Sequence, residues 1–104
     1  MRVFIRMPKA GIAAQAEYNE GDNSCIVLKG SIVSKSISEA PKFHGKRAVA
    51  EKRKYYVDGE IVKENVYFKS PSTAANFVTG KSTDGCNSWK DELGRTIRKI
   101  KEGA

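Results

Sequence analysis

Few side chains in this sequence could do chemistry. His44 is the single histidine. No cysteine or carboxylate stands at ligand spacing around it, so it reads as an exposed loop residue rather than a metal ligand. Cys25 and Cys86 are isolated. Two thiols are too few for a disulfide scaffold and lack C-x-x-C spacing, which leaves buried, inert thiols as the expectation. Nucleophile-elbow, Walker and dinucleotide-binding motifs are absent. Acid–base and nucleophilic catalysis therefore lack their parts. The reading is a protein that binds without catalysis, with no cofactor and no metal.

Charge is the stronger signal. Nineteen Lys and Arg face twelve Asp and Glu, for a net charge of +7. This bears on partners rather than on fold. The surplus is uneven. Lys42–Lys54 holds six basic residues (Lys42, Lys46, Arg47, Lys52, Arg53, Lys54) and one acid, Glu51; Arg95–Lys101 holds four and none. Phosphate contact by such residues would release counterions. The candidate contacts are Lys46, Arg47, Lys52, Arg53, Lys54, Lys81, Arg95, Arg98 and Lys99. Tyr55 and Tyr56 could stack on bases, although at least one of them is expected in the core. Ser70 and Ser72 could hold a phosphate at a helix N-terminus, with Lys69 nearby, but simple capping explains them.

The elements that must position these residues fit one domain, 1–104. Its core would be modest, since a chain this short buries roughly two thirds of its unfolded surface. Arg2–Met7 and Ala13–Tyr18 read as strands, with a hairpin turn at Glu20–Asn23. Ser24–Val33 reads as a strand bent or bulged at Gly30-Ser31. Ser34–Phe43 is a loop. Gly45–Tyr56 suits a helix with Ala48, Val49, Ala50 and Tyr55 on the core side, closed by Asp58-Gly59. Ile61–Lys69 holds one or two short strands.

A second helix is marked by Ser70 as N-cap, Pro71 at the first helical position and Gly80 as terminator. Ala74, Ala75, Phe77 and Val78 form its apolar face, and the paired alanines suit close approach to a sheet. Asp84-Gly85 is a turn signal. Cys86–Lys90 is strand-like, with Trp89 expected in the core beneath the helix. Glu92-Leu93-Gly94 turns into a short helix, Arg95–Lys101, whose Ile97 and Ile100 line one side with Leu93. The fold class is α+β: a small antiparallel sheet with two to three short helices packed mainly on one face.

The string SPSTAANFVTGKSTDGCNSWK resembles the C-terminal signature of the domain-of-unknown-function family 4357, roughly F-S-S-P-S-x-A-A…G-x-s-x-N-G-W-x-x-W-K-x-x-x-G. Phe68, Ser70, Pro71, Ser72, Ala74, Ala75, Gly80, Gly85, Trp89, Lys90 and Gly94 fall on it. Upstream, GIAAQAEY and IVLKGS resemble the family's opening strands, so the likeness spans about 10–100. Asp84 and Cys86 depart from the pattern, replacing an Asn and a Trp. Similar domains are attached to GIY-YIG nucleases and to restriction–modification proteins; no such nuclease motif occurs in this chain.

The resemblance therefore implies a nucleic-acid-binding accessory module that senses DNA or modified DNA, for DNA rather than RNA, with a base-reading pocket near the Ala-rich helix, Trp89 and Lys90. The alternative is an adaptor for a separately encoded partner enzyme. Basic segments on one face would favour DNA, whereas separated ones with an exposed apolar patch would favour the adaptor. No apolar run of roughly 18 residues could span a membrane. Arg6 and Lys9 interrupt the opening segment, so no signal peptide is read there. A cytoplasmic monomer with no membrane partner is expected.

Overall fold

The computed structural model describes residues 1–103. Its sheet is made of β1 (Arg2–Met7), β2 (Ile12–Asn19), β3 (Ser24–Val27) and β6 (Val66–Phe68), antiparallel in the order β1-β2-β3-β6. A small hairpin, β4 (Val57–Asp58) and β5 (Ile61–Val62), lies beside it. The helices are α1 (Lys46–Tyr56), α2 (Pro71–Thr79), α3 (Gly85–Ser88) and α4 (Ile97–Glu102). The α+β class is as expected, and α3 is the helix that the sequence reading lacked.

Alternation builds the core. Successive strand residues point to opposite faces, so Val3, Ile5, Ala14, Ala16, Tyr18, Cys25, Val27, Val66 and Phe68 all bury on the helix side. Helix α2 crosses this face. Ala74 and Ala75 are fully buried, which lets its backbone approach the sheet, and Phe77 meets Phe68 with ring centroids 5.1 Å apart. The ends of α2 are as expected: the Ser70 hydroxyl accepts from the Thr73 amide, Pro71 opens the helix, and Gly80 ends it at φ +73°.

The expected bend at Gly30-Ser31 is also present. Strand β3 stops at Val27, and Ile32 rejoins as a single bridge to Ala13 and Ile61. The buried Ser31 hydroxyl accepts from the Gln15 amide and donates to its carbonyl, standing in for the lost ladder.

Four local expectations are corrected. Asp58-Gly59 does not cap α1; it turns the β4–β5 hairpin, with Gly59 at φ +64°. On α1, Val49 is buried while Ala48, Ala50 and Tyr55 are exposed, and Tyr56 rather than Tyr55 packs on the core. Cys86–Lys90 is not a strand. The Asp84 carboxylate accepts from the Cys86 amide and starts α3, so the turn signal is an N-cap. Only Lys90 pairs, bridging Phe4 on the free edge of β1 and also Thr96. Finally, Leu93 is 78% exposed; Ile97 alone of its trio is fully buried.

Both cysteines are free. Cys25 is fully buried, and that burial pushes its thiol up to about 12. Cys86 is partly exposed and packs against the core margin, a smaller filler than tryptophan. Thiol labelling of the native protein at mildly alkaline pH should therefore modify Cys86 first. Cys25 should react only at the rate of unfolding. Equal rates for the two thiols would contradict this packing.

Candidate functional site

The nine candidate cations fall into three groups. Arg53 lies inside the helical layer and not on a phosphate-facing surface. Its guanidinium donates to the Phe77 carbonyl (3.0 and 2.8 Å), the Val78 carbonyl (3.3 Å), the Ser34 carbonyl (2.8 Å) and the Ser34 hydroxyl (2.8 Å). It thus satisfies carbonyls at the C-terminal end of α2, a position favourable for a cation, and burial pulls its guanidinium below the ordinary range. Three others are paired: Lys46 with Glu39, Arg95 with Asp91, and Arg98 with Asp84 and Asn87. Arg47, Lys52, Lys54, Lys81 and Lys99 have no acid partner among the described residues.

These cations do not form one surface. Helix α2 packs between α1 and α3, and α4 packs on α3. Lys90 and Thr96 lie at the β1 edge of the sheet, whereas α1 flanks the β6 edge. The two basic segments therefore occupy opposite edges. On α1, Arg47 and Lys54 share a stripe with Glu51 between them, which halves the field that stripe presents.

The signature residues form a lock rather than a pocket. The Trp89 indole is fully buried and donates to the Pro71 carbonyl at 3.0 Å. The Gly85 amide donates to the Ser72 hydroxyl at 3.0 Å. A Cβ on Gly85 would lie 2.1 Å from the Pro71 carbonyl carbon, so only glycine fits. A Cβ on Gly80 would meet the Ser36 carbonyl at 2.4 Å. Ser70, Pro71, Ser72, Ala74, Ala75, Gly80, Gly85 and Trp89 thus fasten α2 to the sheet and to α3. The buried Trp89 indole offers no exposed stacking face, and Lys90 contributes a strand bridge to Phe4 and borders a concavity at the β1 edge.

A cleft opens instead on the other flank of α2. It measures about 330 Å³, within the range of ligand sites. One wall is Gly45, the residue before α1, with Ala48, Val49 and Lys52 of α1, spaced i, i+3, i+4, i+7; the other is Tyr67 and Phe68 of β6 with Lys69 just after it, closed by Thr73 and Asn76 of α2. Val49 and Phe68 are nearly buried, so the lining is largely apolar. The Lys52 ammonium lies 5.4 Å from the Phe68 ring centroid and 5.8 Å from that of Tyr56, within cation–π range. No carboxylate lines it. The Asn76 side-chain oxygen accepts from the Thr83 amide at 2.8 Å, which fixes the orientation of its amide group.

A second concavity, about 470 Å³ at the β1 edge, mixes Arg6 and Lys90 with Asp91 and Glu92 and presents no single charge. The arrangement of the α1–β6 cleft was not foreseen. Its signal is the small pair Gly45 and Ala48 on the stripe of Val49 and Lys52, of which Ala48 and Val49 read as core side and Lys52 as a phosphate contact.

Fold and site together define a small α+β domain, with helices on one face of an open antiparallel sheet and an apolar, cation-lipped cleft at one sheet edge. The chain belongs to the family described as Domain of unknown function (DUF4357), whose model matches residues 4–101. The match opens earlier than the expected boundary near residue 10 and takes in Phe4–Met7 of β1. No curated protein and no solved structure matches this chain. Among the described residues, no helix is long and apolar enough to cross a membrane, and no group of three or more His, Cys, Asp or Glu could hold a metal ion.

Proposed function

We propose that this domain is a non-catalytic, monomeric docking module of the cytoplasm. It holds a segment of a partner protein in the α1–β6 cleft, as an adaptor for a separately encoded enzyme. The observation that carries this reading is the cleft itself: apolar on its floor, with Lys52 and Lys69 in its lining and no acid there. An apolar side chain flanked by carboxylates complements it in shape and in charge. The division of the basic segments between opposite sheet edges supports the same reading, because a duplex needs one continuous cationic track.

A second reading is DNA binding in a nuclease or restriction–modification setting. It is favoured by the net charge of +7 and by Arg47 and Lys54, exposed on α1 without acid partners among the described residues. Backbone phosphates would be its target, since the buried Trp89 indole presents no face on which a base could stack.

The two readings separate by anisotropy titrations of fluorescent probes against the native chain and a Lys52→Glu/Lys69→Glu variant. The probes are a heptapeptide pool with an apolar centre and Asp/Glu flanks, a pool with Lys flanks, and short duplexes with and without N6-methyladenine. The docking reading expects binding of the acid-flanked pool alone, weakened about tenfold or more in the variant. Steeply salt-dependent duplex binding with no peptide binding would replace it with the DNA reading. A difference between the two duplexes would add recognition of the modification.

A further inference from the structure

We infer that the occupant of the cleft is an extended strand that adds to the free edge of β6 through the main chain of Tyr67. This rests on the docking reading above and specifies its mode.

The ladder fixes which main-chain groups are open. In antiparallel pairing, hydrogen-bonded and non-hydrogen-bonded pairs alternate. The Leu28 amide donates to the Gln15 carbonyl. That pair points Leu28, and with it Ile26, toward β2. Cys25 and Val27 therefore point toward β6, where they pair with Phe68 and Val66. Tyr67, between those two, must turn its N–H and C=O away from β3. No loop, helix or side-chain group among the described residues bonds to either of them. Strand β6 is the last of the sheet, so nothing in the ladder covers them.

The space beside that edge matches. Helix α1 packs chiefly on α2 and β4 and reaches β6 through Lys52 over the Phe68 ring, and the cleft lies between α1 and β6. A strand lying there would run between a free edge and a helix. Its alternate side chains would face inward to Ala48 and Val49, or outward beside Tyr67, which is 55% exposed. Ile26 pairs with Tyr67 and is half-buried on that outward face. The three-residue length of β6 sets a short recognition element of about three or four residues. Lys52 and Lys69 then meet acidic residues that flank the inward-facing apolar one. The ligand class is an extended acidic peptide with an apolar anchor, recognised by main chain and side chains together.

The test uses the same acid-flanked heptapeptide pool, made with a single N-methyl amide moved along the chain, with Tyr67→Pro and Tyr67→Ala variants. Proline on an outward-facing edge position is compatible with the sheet, and alanine keeps the amide while removing the ring. Strand addition predicts that methylation weakens binding about tenfold at alternate positions only. It also predicts that peptide slows exchange of the Tyr67 amide, and that Tyr67→Pro loses binding which Tyr67→Ala retains. Suppose that peptide still shifts the Ala48 and Thr73 resonances while the methyl scan is flat and Tyr67 exchange is unchanged. Then strand addition is wrong and the docking reading stands. If no peptide in the pool shifts those resonances, both are wrong. The native-chain measurements decide this even if Tyr67→Pro fails to fold.

Discussion

Replacing Gly85 with alanine is expected to destabilise the domain severely, with a urea midpoint far below the native one. The added Cβ would lie 2.1 Å from the Pro71 carbonyl carbon, 2.2 Å from its oxygen and 2.4 Å from the Ser72 nitrogen. These are main-chain atoms, so no rotamer relieves the overlap. Separating α3 from the start of α2 would break the Gly85–Ser72 hydrogen bond and draw the Trp89 indole from its acceptor, Pro71. Trp89 is the largest fully buried side chain. Loosening it adds a cavity term to the lost hydrogen bonds. The sum is about 4 kcal/mol or more, comparable to the total stability of a small domain, about 5–15 kcal/mol. Gly21→Ala is the matched control: its Cβ meets only the Asn19 side chain, at 3.1 Å, which can turn aside. Far-ultraviolet circular dichroism and urea melts would show a collapsed midpoint for Gly85→Ala and a near-native one for Gly21→Ala. A near-native Gly85→Ala would refute the lock assigned to the signature.

Arg53→Met is expected to destabilise by about 3 kcal/mol. The methionine stem keeps most of the packing but strips the guanidinium donors from the Phe77 and Ser34 carbonyls, while the Val78 carbonyl keeps the Ser34 amide. Leaving acceptors unpaired costs roughly 1–3 kcal/mol each, less than additively. At about 4–8 °C per kcal/mol for a domain of this size, Tm should fall by roughly 12–24 °C. The same contacts set the spacing of α1 and α2, which supply two sides of the cleft, so peptide affinity should fall as well. Arg47→Met, on the same helix and exposed, should leave Tm within experimental scatter. An Arg53→Met variant as stable as Arg47→Met would return Arg53 to the solvent-facing surface.

What could be read from the sequence follows the range of the physics involved. The α2 boundaries were legible because Ser70, Pro71 and Gly80 act within one turn of their own backbone. Strands β1 and β2 were legible from alternation that one buried face imposes. Trp89 was placed in the core by size and context. The misreadings came where a residue has two local uses. Asp84-Gly85 serves as a turn or as an N-cap, and only the docking of α3 on α2 selects the cap. Asp58-Gly59 follows a helix but closes a hairpin. Arg53 sits in a basic run, and nothing local distinguishes it from Lys52 and Lys54; the carbonyls that claim it belong to residues 19 to 25 positions away. The cleft was illegible for the same reason. Its walls are a helix stripe, an edge strand and the flank of a second helix, and their meeting is a property of the topology rather than of any segment.

The central claim is that the α1–β6 cleft, rather than the basic surface at large, is where this domain meets its partner. The most direct measurement is a map of amide chemical-shift changes in the native chain, titrated in parallel with the acid-flanked heptapeptide pool and with a short duplex at low and moderate salt. Docking in the cleft predicts that peptide moves Ala48, Val49, Lys52, Tyr67, Thr73 and Asn76 and leaves Arg95–Lys101 still, with the duplex producing no matching set. Shifts that follow Arg47, Lys54, Lys81 and Lys99 under duplex, with the cleft silent to peptide, would contradict it.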